Sequence, residues 1–123
     1  MIKKGKGWRI GWRADAPVYK GLIGTDYWAI EMTQEEMQDF TSLLIKINQV
    51  MVDMSEHLMD EEKITCELDT NLLWLEARGF PHEYSLTVIF SQQRSCEVFF
   101  PADVIPSLIN TVQSLNFDGA IVF

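Results

Sequence analysis

One long helical stripe divides a chain that otherwise mostly alternates with the period of β-strands. Met37, Phe40, Leu44, Ile47, Met51, Met54 and Leu58 recur at steps of three or four residues, which places them on one face of an α-helix. Leu43 and Val50 widen that stripe to the breadth of a core-facing helix. Thr33-Gln34-Glu35-Glu36 precedes it, with Thr33 suited to the N-cap and Glu36 to the reciprocal position of a capping box. Met32 and Met37 flank the cap as a hydrophobic staple, and the acids favour the positive helix end. The pattern predicts a helix over 34–58. A methionine-rich stripe can also form a groove for a partner, but core packing is its simpler use. His57 near the end of this stripe suits the negative helix terminus when protonated.

The segments around the helix read as strands. Trp8, Ile10 and Trp12 share one parity while Arg9, Gly11 and Arg13 share the other, the period of a half-buried strand. Val18–Ile23 and Tyr27–Met32 flank Gly24-Thr25-Asp26, a connection suited to a hairpin. After the helix, Ile64, Cys66 and Leu68 alternate with Thr65, Glu67 and Asp69. Leu72–Arg78, Tyr84–Ser91 and Cys96–Phe100 complete a four-strand meander, with Gly79-Phe80-Pro81-His82-Glu83 and Gln92-Gln93-Arg94 as connections. A second helix is expected from Asp103, as N-cap, to about Asn116, with Pro106 inside its first turn. Ala120-Ile121-Val122-Phe123 is apolar enough to be docked or paired.

Strands in meanders with helices following them indicate an α+β class with antiparallel sheets. The expected order is three strands, helix, four strands, helix: two antiparallel meanders each followed by a helix, or β3-α-β4-α. The expected core is Trp12, Trp28, Phe40, Leu44, Ile47, Leu68, Leu75, Leu86, Val88, Val98 and Leu108. A length of 123 residues makes one domain, 1–123, with residues 1–7 as a flexible basic lead broken by Gly5 and Gly7.

Charge is distributed unevenly. The formal net charge is −8, yet Lys3, Lys4, Lys6, Arg9 and Arg13 all precede the first acidic residue. These five residues are the candidate contacts for a partner or for nucleic acid. Basic residues interleaved with Trp8 and Trp12 suit single-stranded nucleic acid, where cations track phosphates and aromatics stack on bases. Strand parity argues against that use, because it turns the tryptophans into the core and leaves the arginines outside. The acidic outward positions Glu67, Asp69 and Glu97 carry the wrong sign for a phosphate track. Folding of the arm onto its own acidic body, or simple solubility, are its blander uses.

No motif of catalysis emerges. Cys66 and Cys96 have no neighbouring cysteine and are expected as buried free thiols. His57 and His82 have no ligand spacing, and His82-Glu83 makes a weak acid–base pair. Asp60-Glu61-Glu62, with Glu56 upstream, could hold a divalent cation, though acids at an exposed turn are ordinarily solvated. There is no nucleophile elbow, phosphate loop or zincin helix. No enzyme, metal or cofactor is expected. No run of about 18 apolar residues occurs, and Gly7–Arg13 is no secretory core, so a cytoplasmic protein without a membrane span is expected.

Several segments taken in order carry a family resemblance: Gly7-Trp8-Arg9-Ile10-Gly11-Trp12, Leu22-Ile23-Gly24, Trp28-Ala29-Ile30-Glu31, and Leu58-Met59-Asp60-Glu61-Glu62 leading to Leu73-Trp74-Leu75-Glu76-Ala77. Over nearly its whole length the chain resembles the small uncharacterised cyanobacterial and plastid family DUF1818. The resemblance implies a cyanobacterial cytosolic protein with a fold similar to the Whirly-type single-stranded-DNA-binding regulators. It implies no activity and supplies no catalytic residues. The leading expectation is a small non-enzymatic interaction module with a protein partner. The alternative is single-stranded nucleic-acid binding through the basic N-terminal arm.

Overall fold

The computed structural model describes residues 1–57, 62–91 and 94–115. Sheet A has the antiparallel order β1 (Ile2–Gly5), β2 (Trp8–Trp12), β3 (Gly21–Gly24), β4 (Ala29–Met32). Helix α1 (Gln34–Met54) follows, and then sheet B, the meander of β5 (Ile64–Asp69), β6 (Leu73–Phe80), β7 (Glu83–Phe90) and β8 (Cys96–Phe100). A 3-10 turn (Ala102–Val104) leads into α2 (Ile105–Ser114).

This arrangement corrects the expected β3-α-β4-α order. The described residues form a mostly β molecule in which a complete four-stranded sheet precedes α1, and a second four-stranded sheet follows it. The extra strand lies in residues 1–7, expected as a flexible lead. Gly5 and Gly7 do not loosen that segment; they make it a hairpin. Gly7 adopts a φ of +83°, where glycine is favoured. At Gly5 the Trp8 indole passes so close that a Cβ would stand 2.4 Å from its Nε1. Lys3 then pairs with Ile10 and Lys4 with Arg9.

The capping box forms as the sequence predicts. Glu36 N donates to Thr33 Oγ1 at 3.2 Å, and Thr33 N donates to Glu36 Oε1 at 2.9 Å. Met37, Phe40, Leu44, Ile47 and Met51 are fully buried, which places the methionine stripe in the core. The helix ends at Met54, short of the expected boundary, and Leu58 lies outside the described residues. From its central position α1 packs against β3 and β4 as well as β5 and β6, so one continuous core spans both sheets.

Three smaller expectations change. Trp28 is 39% exposed rather than in the core, because Thr25 N donates to the Trp28 carbonyl and closes the hairpin before β4 begins. Leu68 is half-buried, on the edge strand of sheet B. Asp103 sits within the 3-10 turn and does not cap α2, whose N-cap is Val104, while Pro106 lies in the first turn as expected. The remaining expected core residues are buried. Asn116, Ala120–Phe123, Asp60, Glu61 and the Gln92-Gln93 connection lie outside the described residues.

Candidate functional site

Register decides what sheet A shows to solvent, because residues opposite one another across antiparallel strands share a face. Lys3, Ile10, Ile23 and Ile30 line up on the core side, with Lys3 exposed at the sheet edge. Two rows cross the outer face: Ile2, Gly11, Leu22 and Glu31, then Lys4, Arg9, Gly24 and Ala29. Trp8, Ile10 and Trp12 are buried, as the parity predicts.

The five candidate cations therefore separate. Lys4 and Arg9 are neighbours on the outer face. Arg13 continues their parity just beyond β2, Lys3 takes the opposite side, and Lys6 sits in the turn. Arg9 is half-buried, and its Nε donates to the Thr25 carbonyl at 2.7 Å, bracing the β3–β4 hairpin. Arg13 stands 3.9 Å from Asp15, a pair so exposed that it contributes little. Arg13 thus keeps its charge available to a partner.

A groove of about 300 Å³ runs beside the first of these rows. Gly11 belongs to its lining, and Ile2, Tyr19 and Leu22 give it apolar surface, with Arg13, Lys20 and Glu31 also bordering it. A Cβ at Gly11 would meet Ile2, Leu22 and the Met1 carbonyl at 3.5 Å, ordinary contact distance. Glycine at this position keeps the groove open and is not demanded by strain. Ile2 is 71% exposed and Tyr19 is 42% exposed, so apolar surface lies open beside the cations.

Two residues that sequence reasoning passed over shape this surface. The Lys20 ammonium donates to the carbonyls of Ala14 and Ala16, both at 2.7 Å, and closes the loop leading into β3. Arg94 reaches across from sheet B. Its guanidinium lies 5.0 Å from the Tyr19 ring centroid and 5.3 Å from that of Phe90. It also donates to the Glu31 carbonyl and stands 3.4 Å from the Glu36 carboxylate. In the sequence Lys20 falls within the expected Val18–Ile23 strand and Arg94 within a connection, with no local pattern to reveal the contacts of either.

The chemistry-bearing residues elsewhere stay dispersed. His57 and His82 are exposed and lie in separate turns, the first after α1 and the second between β6 and β7. Among the described residues, no group of three or more His, Cys, Asp or Glu side chains converges to hold a metal. Cys66 and Cys96 are free and half-buried, and burial pushes both thiols up from their ordinary value. That direction makes them poor nucleophiles at neutral pH. No described helix is long and apolar enough to cross a membrane.

A model of the family described as domain of unknown function DUF1818 matches residues 3–115, from β1 through the end of α2. The chain belongs to the DUF1818 family. A solved structure from Prochlorococcus sp. NATL2A, described as a protein with unknown function from the DUF155 family, is similar with a TM-score of 0.86. The two are 27% identical, and the match covers 93% of this chain and 97% of that one. No curated protein matches the chain. These comparisons do not show the Whirly-type likeness.

Proposed function

We propose that this DUF1818 member is a small non-enzymatic interaction module that holds a protein partner on the outer face of sheet A. The occupant we favour is an extended acidic segment carrying an apolar side chain. One observation carries the reading: an open apolar groove beside Gly11 lies on the same face as Lys4, Arg9 and Arg13. All 18 acidic residues follow these cations in the chain, and Glu31 is the one acid that shares the two outer rows with them. Such complementarity steers an acidic partner to one face and rejects basic ones. In the reducing cytoplasm, the setting we favour, Cys66 and Cys96 remain free thiols.

Fluorescence anisotropy with a labelled acidic peptide of alternating Glu and Leu tests the proposal. The wild type binds it, a Lys-Leu counterpart does not bind, and the double variant Lys4→Glu/Arg13→Glu loses at least about tenfold in affinity. Equal affinity in the folded double variant overturns the reading. Tighter binding of oligodeoxythymidine than of the peptide at moderate salt also overturns it, and favours the single-stranded nucleic-acid alternative.

A further inference from the structure

Between α1, α2 and the β6–β7 turn lies a second cavity, of about 210 Å³. Its polar lining comes from Asn48 of α1, His82 of the turn, Tyr84 of β7 and Asn110 of α2. Ile105 and Ile109 supply apolar wall. No Asp, Glu, Lys or Arg lines it, although 23% of the chain is charged.

Tyr84 is 4% exposed, and its hydroxyl donates to Asn48 Oδ1 at 2.7 Å. With that carbonyl oxygen engaged, the Asn48 amide presents its N–H groups as donors. Asn110 adds a second amide, able both to donate and to accept. An enclosed apolar cavity of about 150 Å³ is enough to hold benzene. The present cleft has room for a ring and one small polar group. An ion entering it would give up part of its hydration, and the lining offers no carboxylate to a cation and only a protonated His82 to an anion.

We propose that this cleft is a binding site for a small uncharged molecule with a ring-sized apolar body and a carboxamide-like edge. The amide edge meets Asn48 and Asn110, and the apolar body rests against Ile105 and Ile109. The site is independent of sheet A, so its failure leaves that interaction surface untouched.

The test uses the full chain and three probes of one shape: neutral benzamide, anionic benzoate and cationic benzamidine. NMR titration follows the side-chain amide signals of Asn48 and Asn110. Benzamide is expected to shift both signals saturably, with benzoate and benzamidine at least about tenfold weaker. Ile109→Trp, which fills the cleft, abolishes the shifts. Should that variant fail to fold, Asn110→Ala at an exposed position decides the matter by weakening benzamide several-fold. Unmoved amide signals, equal binding of the ions, or wild-type affinity in the folded Ile109→Trp or Asn110→Ala variant would each overturn the proposal.

Discussion

Trp8 Nε1 donates to Ser107 Oγ at 3.0 Å, joining the first hairpin of sheet A to helix α2. The indole reaches that position by passing over Gly5, where a Cβ would lie 2.6 Å from Trp8 Cε2. Trp8 is 4% exposed and cannot swing into solvent without opening the core. Gly5→Ala is therefore expected to displace the ring and destabilise the fold by about 1–3 kcal/mol. Ser107→Ala, which removes only the hydrogen bond, costs about 1 kcal/mol. Thermal melts of the two variants should fall in that order, and a Gly5→Ala variant as stable as wild type contradicts the packing described.

The methionine-rich helix makes a second prediction. Phe40 is fully buried on its core face. Phe40→Ala should cost about 3–5 kcal/mol in denaturant unfolding, the range for emptying a packed aromatic site. A loss below about 1 kcal/mol would place this helix face against solvent or a partner.

The start of α1 rests on Thr33, whose side chain satisfies the Glu36 N–H while Glu36 returns the bond. Thr33→Ala should destabilise by about 1 kcal/mol, whereas Thr33→Ser, which keeps the oxygen, should melt close to wild type. Equal melting temperatures for the alanine and serine variants would contradict a working cap.

These local features were legible in the sequence because each depends on neighbours a few residues away. The capping box, the stripe of α1 and the alternation of Trp8, Ile10 and Trp12 are of this kind. Ile2-Lys3-Lys4-Gly5 was not legible: an edge strand solvated on much of its surface carries no apolar alternation and is defined by its pairing to β2. Trp28 followed the parity of Ile30 and Met32, but β4 begins at Ala29, two residues later than the expected strand. The groove depends on long-range register, which aligns Ile2, Gly11 and Leu22. Of its bordering cations Arg13 was singled out in the sequence, and Lys20 and the shape of the groove were not.

A fourth prediction concerns alkaline pH. Burial, and secondarily the negative charge of the nearby Cys66 once it is a thiolate, push Tyr84 up from 10.0 to about 12. The fold prefers the neutral phenol, so this contribution to stability is complete below the unfolded value of about 10 and is lost as pH rises through about 12. Tyrosinate absorbance should show a step near pH 12 that Tyr84→Phe removes. Between pH 10 and 12 the wild type should lose stability more steeply than Tyr84→Phe. Parallel stability curves for the two proteins across that interval would contradict the assignment.

The interaction surface itself is tested most directly at Gly11, which is unstrained and has ordinary contact space around a Cβ. Gly11→Leu fills the groove without altering any charge, so it separates the apolar pocket from general attraction between a basic face and an acidic peptide. The decisive measurement is the affinity of this variant for the acidic Glu-Leu peptide, with melting curves recorded beside it. The account predicts a fold as stable as wild type and binding weakened at least about tenfold. Wild-type affinity in a folded Gly11→Leu variant would contradict it.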